Sequence, residues 1–392
     1  MRLCVYTDYA YSEVDGTVYG QRAFVTFMCE VGADFEELVV LGRLEPGGGR
    51  SHYPLPTGTR FVGLPYYESL TQPVSVVAAL ARSLRTVWRE LGKVDVVWLF
   101  GPYLHSFVYA LLAVIRKRPI VLGVRQELVQ YTRTRHPGRR LLLFAAHIEE
   151  FGWRLLARLA STVVVGPSLA HAYRRCSRLL PISVSLVREE EIVDPGSVRD
   201  RRYDGELRLL SVGRLETEKN PLLLADVFAS LHRGNPAWRL TVCGEGSLEA
   251  VLADRLSELG VAEYAQLRGY VPFTELGELY RDAHVFLHVS WTEGVPQVLF
   301  EAWAAAAPIV ATAVGGVPEA ADGAAILIPP GDAEAAAGAV LRVAEDPELR
   351  ATLIEAGHAR VRGRTLEREG ARVAEFIRKA ATRRQGALVS EL

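Results

Sequence analysis

Two cations and two carboxylates in the second half of this 392-residue chain have the types and spacing to handle a phosphorylated, hydroxyl-rich ligand. Arg214 and Lys219 lie in SVGRLETEKN (211–220), between an apolar run ending at Gly213 and Pro221, a residue that favours a helix start. That places them in a strand-to-helix turn at the carboxyl edge of a parallel sheet, where such sheets bind ligands. Arg clasps phosphate oxygens in a fork, Lys adds a compact charge, and a helix N-terminus adds partial positive charge. Two solvated loop cations are the plainer alternative. Glu293 and Glu301 bracket EGVPQVLFE (293–301), the first ahead of a helix and the second inside it. Carboxylates are good acceptors for sugar and ribose hydroxyls. A capping acid plus a helix-surface Glu is the alternative there. AVGGVPE (313–319) repeats the strand, glycine and Pro order, so the amides of Gly315 and Gly316 could approach a phosphate. Gly244, after another strand, is a weaker signal of the same kind.

The elements that must position these groups alternate as strand and helix in both halves, the pattern of parallel α/β sheets. In the first half, 3–7, 37–42, 94–100, 119–124, 161–165 and 182–187 read as strands, and 73–91 and 141–159 as helices. In the second half, 207–212, 238–243, 265–269, 285–289, 308–313 and 324–328 read as strands, with helices at 221–232 and 332–343. The polar stretch 188–205 between the halves reads as a linker. This predicts an N-terminal domain over 1–190 and a C-terminal domain over 205–365.

Composition limits the function classes. With 49% hydrophobic and 23% charged residues the chain is globular, not disordered. No apolar stretch reaches the roughly 18 residues of a membrane span, and MRLCVYTDYA lacks the layout of a secretory signal, so a cytoplasmic protein is expected. Four scattered cysteines form no Cys-x-x-Cys pair, and no Asp-x-Asp or His-x-x-x-His pattern stands out, so no metal site is expected. Residues 1–190 carry 23 basic and 16 acidic side chains, whereas the remainder is net acidic. Residues 116–140 are especially Arg-rich and precede LLLFAAHIEEFGWRLLARLA, a basic and apolar combination that could meet an anionic membrane.

Taken together, SVGRLETEKN, CGEGSLEAVL, RGYVP and SWTEGVPQVLFEAWAAAAPIVATAVGGVPE resemble the donor domain of the retaining glycosyltransferase family 4, over roughly residues 207–365. The resemblance implies a GT-B fold: two Rossmann-like parallel-sheet domains facing a central cleft, with the tail after 365 crossing back to the first. It implies transfer of a sugar from a UDP-, GDP- or ADP-sugar to an acceptor hydroxyl, without a further cofactor. Arg214 and Lys219 would hold the diphosphate, Glu293 the transferred sugar and Glu301 the ribose. Gly213, Gly244, Tyr270, Val271, Gly294, Val295, Pro296 and Gly315 would complete the donor contacts.

In the first half the resemblance is architectural only. A glycine loop after the first strand is implied near the donor phosphate, with Gly16 and Gly20 the candidates. A His at the end of a middle strand is also implied, but GVRQ places Arg125 there, and Arg cannot act as a neutral proton acceptor. His105 and His136 are the candidates for that role. Arg125, Gln126 and Tyr131 are candidates for the acceptor, whether lipid, glycan or small molecule. No nucleic-acid partner is expected. An epimerase-like enzyme and a non-catalytic sugar-nucleotide-binding subunit are the rival readings.

Overall fold

A computed structural model describes the chain except for residues 22, 48–52, 69–71, 136–137, 199–200 and 391–392. The chain divides into two compact units, Met1–Val184 with Leu366–Leu392, and Ser185–Thr365. Unit 1 runs β1 (Arg2–Val14), β2 (Thr17–Gly20), α1 (Phe24–Ala33), β3 (Glu37–Leu44), β4 (Tyr53–Pro54), β5 (Arg60–Leu64), α2 (Pro73–Leu91), β6 (Val96–Gly101), α3 (Leu104–Ile115), β7 (Ile120–Val124), α4 (Leu128–Arg135), α5 (Arg140–Ala157), β8 (Ser161–Val165), α6 (Pro167–Ala172) and β9 (Arg178–Ile182).

Strands β5, β3, β1, β6, β7, β8 and β9 lie side by side and parallel. The winding reverses between β1 and β6. Three expectations change. The strand expected at 182–187 is β9, which pairs with β8 from Ser161↔Arg178 to Val165↔Ile182. Pro181 is tolerated because β9 is an edge strand. The glycine loop expected after the first strand is a hairpin. β1 continues to Val14 and turns at Asp15 and Gly16, both with positive φ, into antiparallel β2. Gly16 therefore stands at a turn with open space around its Cα. The third change concerns the expected linker. The described residues between 188 and 205 are tied to the second unit: Val193 N–H donates to the Ala304 carbonyl at 2.7 Å, Arg201 to those of Ala283 and Arg281, each at 2.6 Å.

Unit 2 runs β10 (Leu207–Val212), α7 (Leu222–Gly234), β11 (Trp238–Cys243), α8 (Glu249–Glu258), β12 (Ala265–Leu267), α9 (Phe273–Asp282), β13 (Val285–His288), α10 (Gln297–Ala304), β14 (Ile309–Thr312), α11 (Val317–Ala321), β15 (Ile326–Ile328), α12 (Ala333–Glu345) and α13 (Pro347–Arg362). Its sheet is wholly parallel, in the order β12-β11-β10-β13-β14-β15. Period-two alternation builds a core on each face. Leu207 and Leu209 pack with Leu224 and Phe228 of α7, whereas Leu210 and Phe286 pack with Phe300 and Trp303 of α10. Asp332 and Asp346 cap α12 and α13 by accepting from Ala335 and Leu349 amides, each at 2.9 Å. Finally α14 (Leu366–Ser390) groups with unit 1, where its Arg378 donates to the Asp34 carbonyl at 3.0 Å.

Candidate functional site

In unit 2 the winding direction reverses between β10 and β13. Chain leaving β10 proceeds to β11 and β12 on one side, and β13 to β15 follow on the other. Two adjacent loops therefore diverge at the carboxyl ends of β10 and β13, leaving the crevice in which open α/β sheets bind ligands. Backbone bonds hold these loops together. Trp291 N–H donates to the Glu218 carbonyl at 2.9 Å, and on its other side the loop after β10 is tied to that after β11, where Leu215 N–H donates to the Glu245 carbonyl at 2.9 Å. A small cavity there is lined by Gly213, Arg214, Lys219, His288 and Ser290 among others.

Lys219 and Glu293, 74 residues apart in sequence, meet across this crevice as an ion pair. Glu293 is nearly enclosed, with 8% of its side chain exposed. The same carboxylate oxygen accepts from Ser290 Oγ at 2.7 Å and lies 3.1 Å from His288 Nε2. Burial pushes the Glu293 carboxyl up, but His288 and Lys219 outweigh it and hold it down at about 2. Glu293 is thus an anion at any physiological pH. Arg214 pairs with Glu218 at 2.7 Å and is about half exposed. One guanidinium nitrogen is engaged there, so the remaining donors of the fork can face a ligand.

Glu301 sits one helix further in, on α10, and accepts from the Tyr280 hydroxyl at 2.8 Å. Burial pushes its carboxyl up to about 7, against the opposing Tyr280 bond and with some help from Glu191. The two acids therefore titrate far apart, Glu293 well below neutrality and Glu301 near it.

The glycines serve close approach. The amides of Gly213, Gly244 and Gly316 donate to the carbonyls of Cys243, Gly269 and Gly294 at 2.9, 2.7 and 2.9 Å. The Gly316 amide is accordingly not open to a phosphate, which corrects the reading for Gly316 and leaves Gly315 a candidate. Its service is steric. A Cβ on Gly315, whose φ is +53°, would stand 1.8 Å from the Glu293 carbonyl oxygen, and one on Gly316 2.2 Å from that of Gly294. The paired glycines let the loop after β14 press against the loop that carries Glu293. Among the other candidates, Gly294 has open space, Val295 packs beside the α10 core, Pro296 caps α10 and Tyr270 is exposed. The Val271 side chain is in the core, which leaves only its backbone to face a ligand.

Unit 1 brings together a second polar cluster at its own switch point, between β1 and β6. Asp8, buried within β1 where its register with β3 shifts between Tyr6 and Ala10, accepts from the Tyr6 hydroxyl at 3.1 Å and from the Tyr67 hydroxyl, and pairs with Arg43 at 3.5 Å. His105 opens α3 and lies buried against Tyr67, ring centroids 5.3 Å apart, with Tyr6 and Tyr109 around it. Burial, then Arg43, brings its ring down to about 4, so it is neutral at pH 7. Its Nδ1 is buried without a hydrogen-bond partner. Arg125, after β7, lies over the Phe24 and Tyr9 rings at 4.2 and 5.4 Å. Burial lowers it to about 10, which leaves it cationic at neutrality. Gln126 and Tyr131 are exposed, and His136 lies outside the described residues. Sequence reasoning missed His288, Ser290 and Asp8. The only signal for His288 was a lone His inside the apolar run VFLHV.

Residues 198–360 match the model of the family described as glycosyl transferases group 1. Over 163 residues the chain is 30% identical to the amylovoran biosynthesis glycosyltransferase AmsK of Erwinia amylovora, covering 40% of each protein. The chain spans less than half the length of the curated relatives it matches, 28% for AmsD of the same organism and 48% for WcaL of Escherichia coli. Several solved structures are similar along nearly the whole chain. Sucrose-phosphate synthase of Thermosynechococcus elongatus has a TM-score of 0.72 at 18% identity, covering 96% of this chain and 98% of that one. HepE of Anabaena, solved with UDP-glucose, has a TM-score of 0.70 at 17% identity, covering 97% and 100%. The chain thus has the GT-B fold of glycosyltransferases, and its second unit carries the group 1 glycosyl transferase match.

Proposed function

We propose that this chain is a glycosyltransferase that moves a sugar from a nucleoside diphosphate sugar to an acceptor hydroxyl, with retention at the anomeric carbon and without a metal ion. The observation that carries this reading is the meeting of Lys219, Glu293 and His288 at the switch point of unit 2, inside the matched segment. Lys219 has three N–H donors, so it can keep Glu293 and still donate to a diphosphate. Arg214 adds its fork from the same loop. As the glycosidic bond breaks, negative charge grows on the departing diphosphate, and these fixed cations stabilise it most at that moment. Glu293, held ionised, accepts from hydroxyls of the transferred sugar, and Glu301 from the ribose. The binding of UDP-glucose by HepE supports a nucleotide sugar as donor. Unit 1 takes the acceptor side in this reading, with Arg125 and His105 at the carboxyl edge of its sheet and the enzyme peripheral at the cytoplasmic face of a membrane.

A thermal-shift screen with UDP-, GDP- and ADP-sugars tests the proposal. Ligand at about 100 times its Kd stabilises the native state by about 2.7 kcal/mol. One nucleotide series is expected to raise Tm; no response to any of the three would refute the reading.

A further inference from the structure

We infer that the outer face of α5 and the groove beside its last turn dock unit 1 onto an anionic lipid bilayer. The inference rests on the reading of unit 1 as the acceptor side and names the surface that would bring it to a membrane-borne acceptor. Leu141, Phe144, Ile148, Phe151 and Leu155 recur at steps of three and four, so they form one stripe along the helix. Each is more than half exposed, at 85, 65, 57, 71 and 51%, and Leu159 beyond the helix end is 83% exposed. The fold does not use them, because α5 already packs inward through Ala146, Trp153 and Ala157. Neighbouring α3, whose Phe107 meets the Trp153 ring at 5.2 Å, adds exposed Leu104, Leu111 and Ile115 to the same side. Contiguous exposed apolar surface of this size marks an interaction site.

Three arginines flank the stripe, of which Arg154 is paired with the buried Glu150 of the same helix. Arg140, His147, Arg154 and Arg158 follow at steps of seven, seven and four, which sets them in a row along one flank. At the C-terminal end of α5 a groove of about 530 Å³ lies between this flank and the turn after α6. Arg158, Arg174 and Arg175 line it with apolar Phe151 and Leu155, and none of the three arginines has a carboxylate partner among the described residues. The groove is at the amino-terminal edge of the sheet, just before β8 and β9, whereas Arg125 and His105 are at the opposite edge. It is therefore separate from the site described above. An apolar ridge beside unpaired arginines complements lipid tails beneath a layer of phosphates. A second copy of the chain meeting the same face by a two-fold axis would set arginine against arginine. Among the described residues no helix is long and apolar enough to cross a membrane, which fits a helix lying in the interface.

Flotation of the full chain with phosphatidylcholine vesicles, with and without phosphatidylglycerol, tests this. Wild type is expected to float only with the anionic vesicles. The double variant Phe144→Ser/Phe151→Ser is expected to bind them about tenfold more weakly. The triple variant Arg158→Gln/Arg174→Gln/Arg175→Gln is expected to bind roughly a hundredfold more weakly, at about a fivefold step per arginine. Both should keep the wild-type circular dichroism spectrum and its thermal response to UDP, GDP or ADP. Anionic-vesicle binding by a protein that responds to no nucleotide would support docking while sinking the donor reading. Wild type left unbound by anionic vesicles, equal flotation of all three proteins, or a sedimenting dimer abolished by the phenylalanine substitutions would overturn it.

Discussion

At the scale of single residues, the site turns on one carboxylate with three partners. Glu293 is held ionised by His288 and Lys219 despite its burial, so its folded-state pKa of about 2 lies below the usual carboxylate value. Such a group contributes stability above pH of about 4.5 and loses it as pH falls towards 2, at most about 3 kcal/mol. Wild type should therefore lose Tm faster than Glu293→Gln over that range, and parallel curves would contradict the assignment. Glu301 has the opposite sign. Its carboxyl stands at about 7, and only the ionised form accepts from a ribose diol with all its lone pairs. Nucleotide affinity is expected to rise between pH 6 and 8, as measured by calorimetry, and Glu301→Gln is expected to flatten that rise. The types and spacing of Arg214, Lys219, Glu293 and Glu301 were readable in the sequence. His288 and Asp8 were not, because each becomes part of a cluster only through partners distant in sequence. An apolar run holding one His reads as a core strand until Glu293 is brought to it.

At the scale of elements, loops pressed together give the site its geometry. Gly315 allows the loop after β14 to pass the Glu293 carbonyl, at a φ that L-residues rarely adopt. Gly315→Ala is expected to cost about 1–3 kcal/mol, read as a lower Tm, and to weaken nucleotide binding by displacing Glu293. Unchanged Tm would show that the loop has room to spare. Apolar runs marked most strands closely: 207–212, 238–243 and 161–165 coincide with β10, β11 and β8. The β1–β2 hairpin was hidden because DYAYSEVDGTVYG also reads as a glycine loop, and only pairing such as Tyr11↔Gly20 distinguishes the two. β9 was displaced because register against β8, not local apolarity, decides which residues of RLLPISVSLV form the strand.

At the scale of the whole molecule, two switch points collect chemistry at the carboxyl edge of each unit's sheet. Unit 1 also depends on the end of the chain: Val373, Ala374, Ile377 and Ala381 of α14 are fully buried there. Removing residues 366–392 uncovers that surface and should make unit 1 lose its cooperative unfolding transition in calorimetry. A truncated chain with the full unfolding enthalpy would contradict this. The most direct test of the account is titration of the stabilising nucleotide into wild type and Lys219→Ala. Loss of one charge-assisted contact to the diphosphate predicts about 10- to 100-fold weaker binding, with the fold retained by circular dichroism. Equal affinity in the two proteins would contradict the assignment of the β10–β13 crevice as the diphosphate site.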